Sequence, residues 1–348
     1  MTKKKTTLLC VVAIVIVLFQ YCTKKKGEAT VEEPASVLNL PATPYAYNVS
    51  FPAHVATALA QTDNTPAGNA ITDNGATLGR VLFYDKSLSI NNTIACASCH
   101  KQSNSFTDPA PKSSGFAGGL TARHSMSTMN VRFYASGKMF WDERAATLED
   151  QVLQPIQNSV EMGMTLPALV TKLADKPYYP GLFQSAFGSP TITSDRISKA
   201  LAQFVRSIVT YQAKYDRVKS GQDVFTPIEA QGEQLFLTAA GPGGNTCASC
   251  HRPPMFITSN PAAPFALADP SDHGIDNQNR FKSGTLRNSA VATSLFHNGS
   301  VANVGAMLAG GIPQHSVPPP DRAALLAFLQ TLTDNTVLTE ARFSDPFK

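Results

Sequence analysis

A chain of 348 residues, 43% of them hydrophobic, is long enough for two domains with full cores. Its 29 basic and 25 acidic residues leave a net charge of +4, and Lys3, Lys4, Lys5, Lys24, Lys25 and Lys26 concentrate part of that excess at one end. The body is therefore close to neutral, which argues against a nucleic-acid partner.

Leu8 to Tyr21 is an apolar run preceded by three lysines, the plan of a secretory leader over residues 1–22. It is short for a spanning helix, although an uncleaved anchor stays open. Cys22 ends the run before a polar, lysine-rich segment, as the lipidated residue of a bacterial lipoprotein does. Gln20 and Tyr21 make a poor lipobox, so a lipid anchor through Cys22 and a soluble exported protein are both expectations here. Residues 23–70, rich in Pro, Ala, Thr and Asn, read as a tether and then an N-terminal arm wrapped on the body.

Leu78 to Asp85 reads as a short helix leading into Cys96-Ala97-Ser98-Cys99-His100. Two cysteines three apart with histidine directly after are the attachment signature of a c-type haem. Both thiols add to the haem vinyl groups, and the adjacent imidazole lies under the iron as its proximal ligand. The same five residues return as Cys247-Ala248-Ser249-Cys250-His251. Half of a zinc site or a redox Cys-x-x-Cys is the plainer reading of one copy. Two identical copies, in a chain whose other cysteines are Cys10 and Cys22, set it aside. The cysteines thus divide into two in the leader, four on haem and none for disulfides. Because c-type haem is attached beyond the bacterial inner membrane, the chain is expected to be periplasmic or otherwise exported.

Residues 101–125 are rich in Gly, Ser and Pro and read as loop. Helical signals follow. Thr147, Thr165 and Ser194 each open an amphipathic run, the last with Ile197, Leu201, Phe204, Val205 and Ile208 on one face. Thr226-Pro227-Ile228-Glu229 is a capping box with proline at the first helical position. Leu325, Phe328, Leu329 and Leu332 mark a last helix behind Pro318-Pro319-Pro320. With no long alternating run, the fold class is mostly α with long loops, for which haem supplies an apolar slab.

The chain also repeats itself. Gly79-x-x-Leu82-Phe83 and Asn92-Thr93 before the first haem motif answer to Gly232-x-x-Leu235-Phe236 and Asn245-Thr246 before the second. Thr128-Met129-Asn130 with Phe140-Trp141-Asp142 answers to Leu286-Arg287-Asn288 with Phe296-His297-Asn298. Two cytochrome c-like haem domains related by internal duplication are expected, at 71–220 and 221–348. Trp141 takes in the first the place His297 holds in the second.

These motifs, with Phe106-Thr107-Asp108, Phe140 to Ala145, Pro155 to Asn158, Val160 to Met164, Thr285 to Asn288 and Phe296 to Ser300, carry a family resemblance. From about residue 50 to the end the chain resembles the bacterial di-haem cytochrome c peroxidases. Their relatives include the di-haem enzyme that matures the tryptophan-derived cofactor of methylamine dehydrogenase. The resemblance implies two covalently bound c-type haems. The haem on His100 meets hydrogen peroxide, and the haem on His251 takes electrons from a reduced cytochrome c or a small copper protein. It also implies Trp141, the chain's single tryptophan, as the relay between them. Glu161 answers to the family's distal acid, which moves a proton from one peroxide oxygen to the other. Gln151 answers to a distal-pocket glutamine that holds peroxide or water. Their plain readings are a core aromatic, a surface glutamate and a solvated helix residue.

The resemblance further implies a strong sixth ligand on the second haem. Met307, three residues before Gly310-Gly311, is the candidate; Met255 lies on the wrong side, and His315 is a weaker rival. His124 stands where the family has an asparagine beside a bound calcium, and Gly284 where a proline is common, so calcium is in doubt. His124 itself stays open between a loop residue, an interface bond and a ligand. Phe116 stands where many members have a histidine that blocks the peroxide site, which implies an open site. His54, His273 and His297 read as structural or haem-edge residues. Family members are often dimers, so a homodimer is a further expectation. The alternatives are a maturase-like oxidation of a protein partner and a non-enzymatic di-haem electron carrier.

Overall fold

The computed structural model describes residues 37–238, 246–257, 271–311 and 315–347. Contacts group Leu38–Lys348 as one compact unit, apart from Met1–Val37, and all that follows concerns the former. The leader, Cys22 and the tether to residue 36 lie outside the described residues. Among the described residues no helix is long and apolar enough to cross a membrane.

The unit is mostly helical, with only isolated β-bridges among the described residues. The helices relevant to function are α1 (Ala53–Thr62), α2 (Asp73–Tyr84), α3 (Cys96–Cys99), α4 (Leu148–Gln157), α5 (Leu166–Ala174) and α6 (Tyr179–Phe187). They continue with α7 (Ser194–Ser207), α8 (Lys214–Lys219), α9 (Pro227–Thr238), α10 (Cys247–Cys250), α11 (Val304–Ala306) and α12 (Pro319–Gln330). Side-chain oxygens cap them where the sequence suggested. Thr147 accepts from the Asp150 N–H at 3.1 Å, and Thr193, one residue earlier than expected, accepts from Arg196 at 3.2 Å. The capping box is reciprocal: the Thr226 N–H donates to the Glu229 carboxylate at 2.7 Å and the Glu229 N–H to the Thr226 hydroxyl at 3.4 Å.

Two helix crossings repeat each other. At Gly79 on α2 an added Cβ would meet the Ala200 carbonyl oxygen of α7 at 2.0 Å and the Phe204 Cβ at 2.7 Å. At Gly232 on α9 it would meet the Ala324 oxygen of α12 at 2.0 Å and the Phe328 Cβ at 2.7 Å. Only glycine lets the backbones approach so closely. Around each crossing a phenylalanine cluster forms: Phe83 lies 5.2 Å from Phe204 and 6.3 Å from Phe106, and Phe236 lies 5.4 Å from both Phe328 and Phe256. Phe106 and Phe256, Asn130 and Asn288, and Phe140 and Phe296 form three pairs with nearly equal positive φ. The repeat read in the sequence is thus a repeat of backbone shape.

Two apolar cores result, but the chain does not divide between them at one point. Tyr215 belongs to the second core, while Met255, Ile257, Val337 and Phe343 belong to the first. The C-terminal segment returns to the N-terminal half: Arg80 donates to the Ala341 carbonyl at 2.8 Å and Tyr84 to the Phe343 carbonyl at 2.6 Å. The described part of the arm lies there too, with the Asn39 N–H on the Pro346 carbonyl at 2.7 Å and the Tyr47 hydroxyl on the Arg342 carbonyl at 2.8 Å.

Candidate functional site

Each Cys-x-x-Cys-His segment is a single helical turn, α3 or α10, whose histidine ends it in nearly the same conformation: φ −111°, ψ 74° at His100 and φ −111°, ψ 77° at His251. The four cysteines form no disulfide and are half-buried, with Cys96 against the first core and Cys247 against the second. His100 Nδ1 lies 3.1 Å from the Phe106 carbonyl oxygen, and His251 Nδ1 lies 3.1 Å from the Ser283 hydroxyl. Fixing one ring nitrogen leaves Nε2 as the ligating atom. Burial holds both imidazoles neutral, His251 down to about 3 with the neighbouring His315 the next cause. Paired thiols, a neutral imidazole with one nitrogen already engaged and an adjacent apolar core fit a c-type haem at each position.

Glu161 lies on a loop that its neighbours hold closely. The Asn158 side-chain oxygen accepts from the Val160 and Glu161 N–H groups at 2.8 and 3.1 Å. The Phe116 N–H donates to the Glu161 carbonyl at 3.0 Å, and the Phe116 carbonyl accepts from Asn91 at 2.8 Å. The Phe116 ring covers Gly163, where a Cβ would come within 2.6 Å of it and where φ is +64°. Burial pushes the Glu161 carboxyl up, partly offset by the Arg144 guanidinium, and its charge is felt at both Cys96 and Cys99. Arg144 itself lies 3.5 Å over the Phe140 ring and pairs with Asp142 at 2.9 Å. Gln151 is half-buried on α4, and its side chain makes no hydrogen bond among the described residues.

Trp141 sits where the two halves meet. Its Nε1–H donates to the His124 carbonyl at 2.7 Å, and its ring meets the His297 ring edge to face at 6.4 Å. His297 in turn stacks on Phe281 at 3.6 Å. His124 is 4% exposed; its ring nitrogens lie 3.0 Å from the Thr107 hydroxyl and 3.1 Å from the Ala110 carbonyl. One of the roles left open for His124, an interface bond, is made by its main chain, whose N–H donates to the His297 carbonyl at 2.7 Å. Among the described residues no group of three or more His, Cys, Asp or Glu side chains is arranged to hold a metal ion.

At the second motif the ring facing His251 is His315, with centroids 6.5 Å apart. Met307, the expected sixth ligand, follows α11 and packs half-buried against the second core. Met255 is 2% exposed within the first core. Arg144 and Ser283 were not singled out from the sequence. Arg144 lay inside a matched motif that could have drawn attention to it, whereas Ser283 lies 32 positions from its partner His251 and carries no local signal.

A family model described as di-haem cytochrome c peroxidase matches residues 73–224. The chain is 32% identical over 276 residues to the cytochrome c551 peroxidase of Nitrosomonas europaea, covering 74% of this chain and 79% of that one. The chain belongs to the di-haem cytochrome c peroxidase family. It is therefore an enzyme of the peroxidase type and a protein of two haems, as the sequence resemblance implied. The same family holds the methylamine utilization protein MauG of Paracoccus denitrificans, 32% identical over 289 residues, 67% of this chain and 72% of that one. Among solved structures, a MauG-like protein associated with microbial copper homeostasis is similar at 27% identity and a TM-score of 0.74, over 86% of this chain and 99% of its own. The di-haem peroxidase BthA of Burkholderia thailandensis, 21% identical with a TM-score of 0.63, shares the fold over 80% of this chain and 91% of its own.

Proposed function

We propose that this di-haem peroxidase reduces hydrogen peroxide to water with two electrons from a small reduced donor, a cytochrome c or a copper protein. The electrons arrive at the haem on His251 and pass to the haem on His100. The observation that carries this reading is Glu161, a carboxyl raised by burial, on a loop that Asn158 and Phe116 hold in place. Cys96 and Cys99 with His100 at one site, and Cys247 and Cys250 with His251 at the other, would hold the haems, which would supply redox-active iron. The Glu161 carboxylate accepts the proton of the inner peroxide oxygen and returns it to the outer oxygen, which leaves as water. With two protons and two electrons taken up, one peroxide gives two waters. Arg144, over Phe140, keeps that carboxyl from being raised further. Gln151 holds the peroxide or the water that precedes it, and Trp141 carries electrons between the halves. The lysine-flanked apolar run to Tyr21 supports export, with Cys22 as the candidate for lipid attachment.

The test is steady-state oxidation of a reduced cytochrome c by peroxide with wild type and Glu161→Gln. Turnover in wild type and its collapse in the variant are expected. The likeness to MauG supports a second reading, oxidation of a protein partner. Negligible peroxide turnover with both reduced cytochrome c and a small copper protein would favour it.

A further inference from the structure

We propose that His315, rather than Met307, is the sixth ligand of the second haem, so that two imidazoles hold its iron. This rests on the reading of His251 as the proximal ligand of that haem. Two imidazoles bonded to one metal from opposite faces at about 2.0 Å each have ring centroids about 6.3 Å apart. His251 and His315 lie 6.5 Å apart. The Ser283 hydroxyl engages His251 Nδ1, which directs Nε2 away from Ser283. The Val317 N–H, two residues beyond His315, donates to the Leu308 carbonyl at 3.1 Å and ties that end of the segment to the second core.

The internal repeat points the same way. In the first half Phe140 carries the Arg144 guanidinium, whose charge acts on Glu161, the residue read as lying on the peroxide side of that haem. In the second half the matching Phe296 carries the His315 ring at 5.7 Å. The matching phenylalanines thus carry a guanidinium in one half and an imidazole in the other. Met307 meanwhile is a half-buried side chain packed against the second core. The consequence is chemical. An imidazole on each face leaves the second iron closed to peroxide, and without the thioether sulfur that raises a haem's potential it is a stronger reductant toward its partner.

The test uses the full-length oxidised holoprotein, read by electron paramagnetic resonance and optical spectroscopy. Wild type is expected to lack a thioether-to-iron charge-transfer band, and Met307→Leu to leave the spectrum and potential of the second haem unchanged. His315→Ala should convert one low-spin signal to high-spin, and added imidazole should restore it. A thioether band that disappears in Met307→Leu, or a low-spin signal that survives His315→Ala, would overturn the proposal. If His315→Ala yields no holoprotein, the Met307→Leu comparison alone decides. None of these readouts needs turnover, so the ligation can stand where peroxide reduction fails, and the reverse.

Discussion

Trp141 and His297, which hold the same place in the two halves of the repeat, meet each other edge to face with ring centroids 6.4 Å apart. The main chain around them is reciprocal as well. The His124 N–H donates to the His297 carbonyl at 2.7 Å, and the Lys282 N–H donates to the Trp141 carbonyl at 2.8 Å. A local twofold axis therefore passes between the two rings, and the indole stands at the contact between the two repeated segments. If Trp141 relays electrons, Trp141→Phe keeps a ring but loses the more easily oxidised indole and its bond to the His124 carbonyl. Donor-driven turnover should fall roughly tenfold or more, a barrier rise of about 1.4 kcal/mol, with peroxide binding to the first haem unchanged. Stopped-flow mixing of half-reduced enzyme with peroxide measures both, and an unchanged inter-haem rate would reduce Trp141 to a packing residue.

The carboxyl of Glu161 gives a pH dependence with a definite sign. It must be ionised to take the peroxide proton, and burial raises its pKa. Activity should therefore be full above the raised pKa and decline as pH falls through it, on an acid limb displaced upward from the usual glutamate range. Glu161→Gln should remove that limb and lower kcat/KM by about 10²- to 10⁴-fold. A pH profile of kcat/KM that keeps its acid limb in the variant would assign the limb to another group.

The haem motifs, the duplication and the helix starts were legible because each is written in adjacent residues. Thr226-Pro227-Ile228-Glu229 is a complete instruction within four positions, and the structure executes it. What the sequence hides is pairing at a distance. Met307 stood out because it lies three residues before Gly310-Gly311, a signal written locally, whereas nothing adjacent to His315 marked it. The ring contact that favours His315 spans 64 positions. His124 was likewise undecidable, since its partners Thr107 and Ala110, Trp141, and His297 come from three separate stretches.

The two crossing glycines make the duplication testable through stability. Gly79→Ala or Gly232→Ala places a Cβ 2.0 Å from a helix carbonyl oxygen, so the helices must separate. Overpacking of this kind costs about 1–3 kcal/mol. Gly68→Ala is the control, because a Cβ there meets nothing within 4 Å, and its effect should stay within about 0.5 kcal/mol. Denaturant midpoints of the three variants check this. Equal stabilities would mean that the crossings can relax, and the close approach would then explain nothing about why glycine stands there.

The last prediction is that the peroxide site is open in the oxidised enzyme. A protein ligand that blocks it must be a side chain with a lone pair, and the loop after the first haem motif offers Phe116 at the matching position. Phe116 is also held in place, through Glu161 on one side and Asn91 on the other, with its ring against Gly163. The histidine that follows that loop is His124, beyond Gly115, Gly118 and Gly119. Gly115 is not free to lend mobility, because a Cβ there would lie 1.7 Å from the Val160 carbonyl oxygen. His124 is anchored at four atoms: its ring nitrogens at Thr107 and Ala110, its N–H on the His297 carbonyl and its carbonyl under the Trp141 indole. Releasing it would break bonds worth about 1 kcal/mol each and separate the two halves at their contact. The oxidised protein should therefore give one high-spin and one low-spin ferric signal and turn over peroxide without prior reduction. His124→Ala should leave the spin state of the first haem as it is. Two low-spin signals, one of them turning high-spin on half-reduction or in His124→Ala, would show that His124 moves in to block the iron.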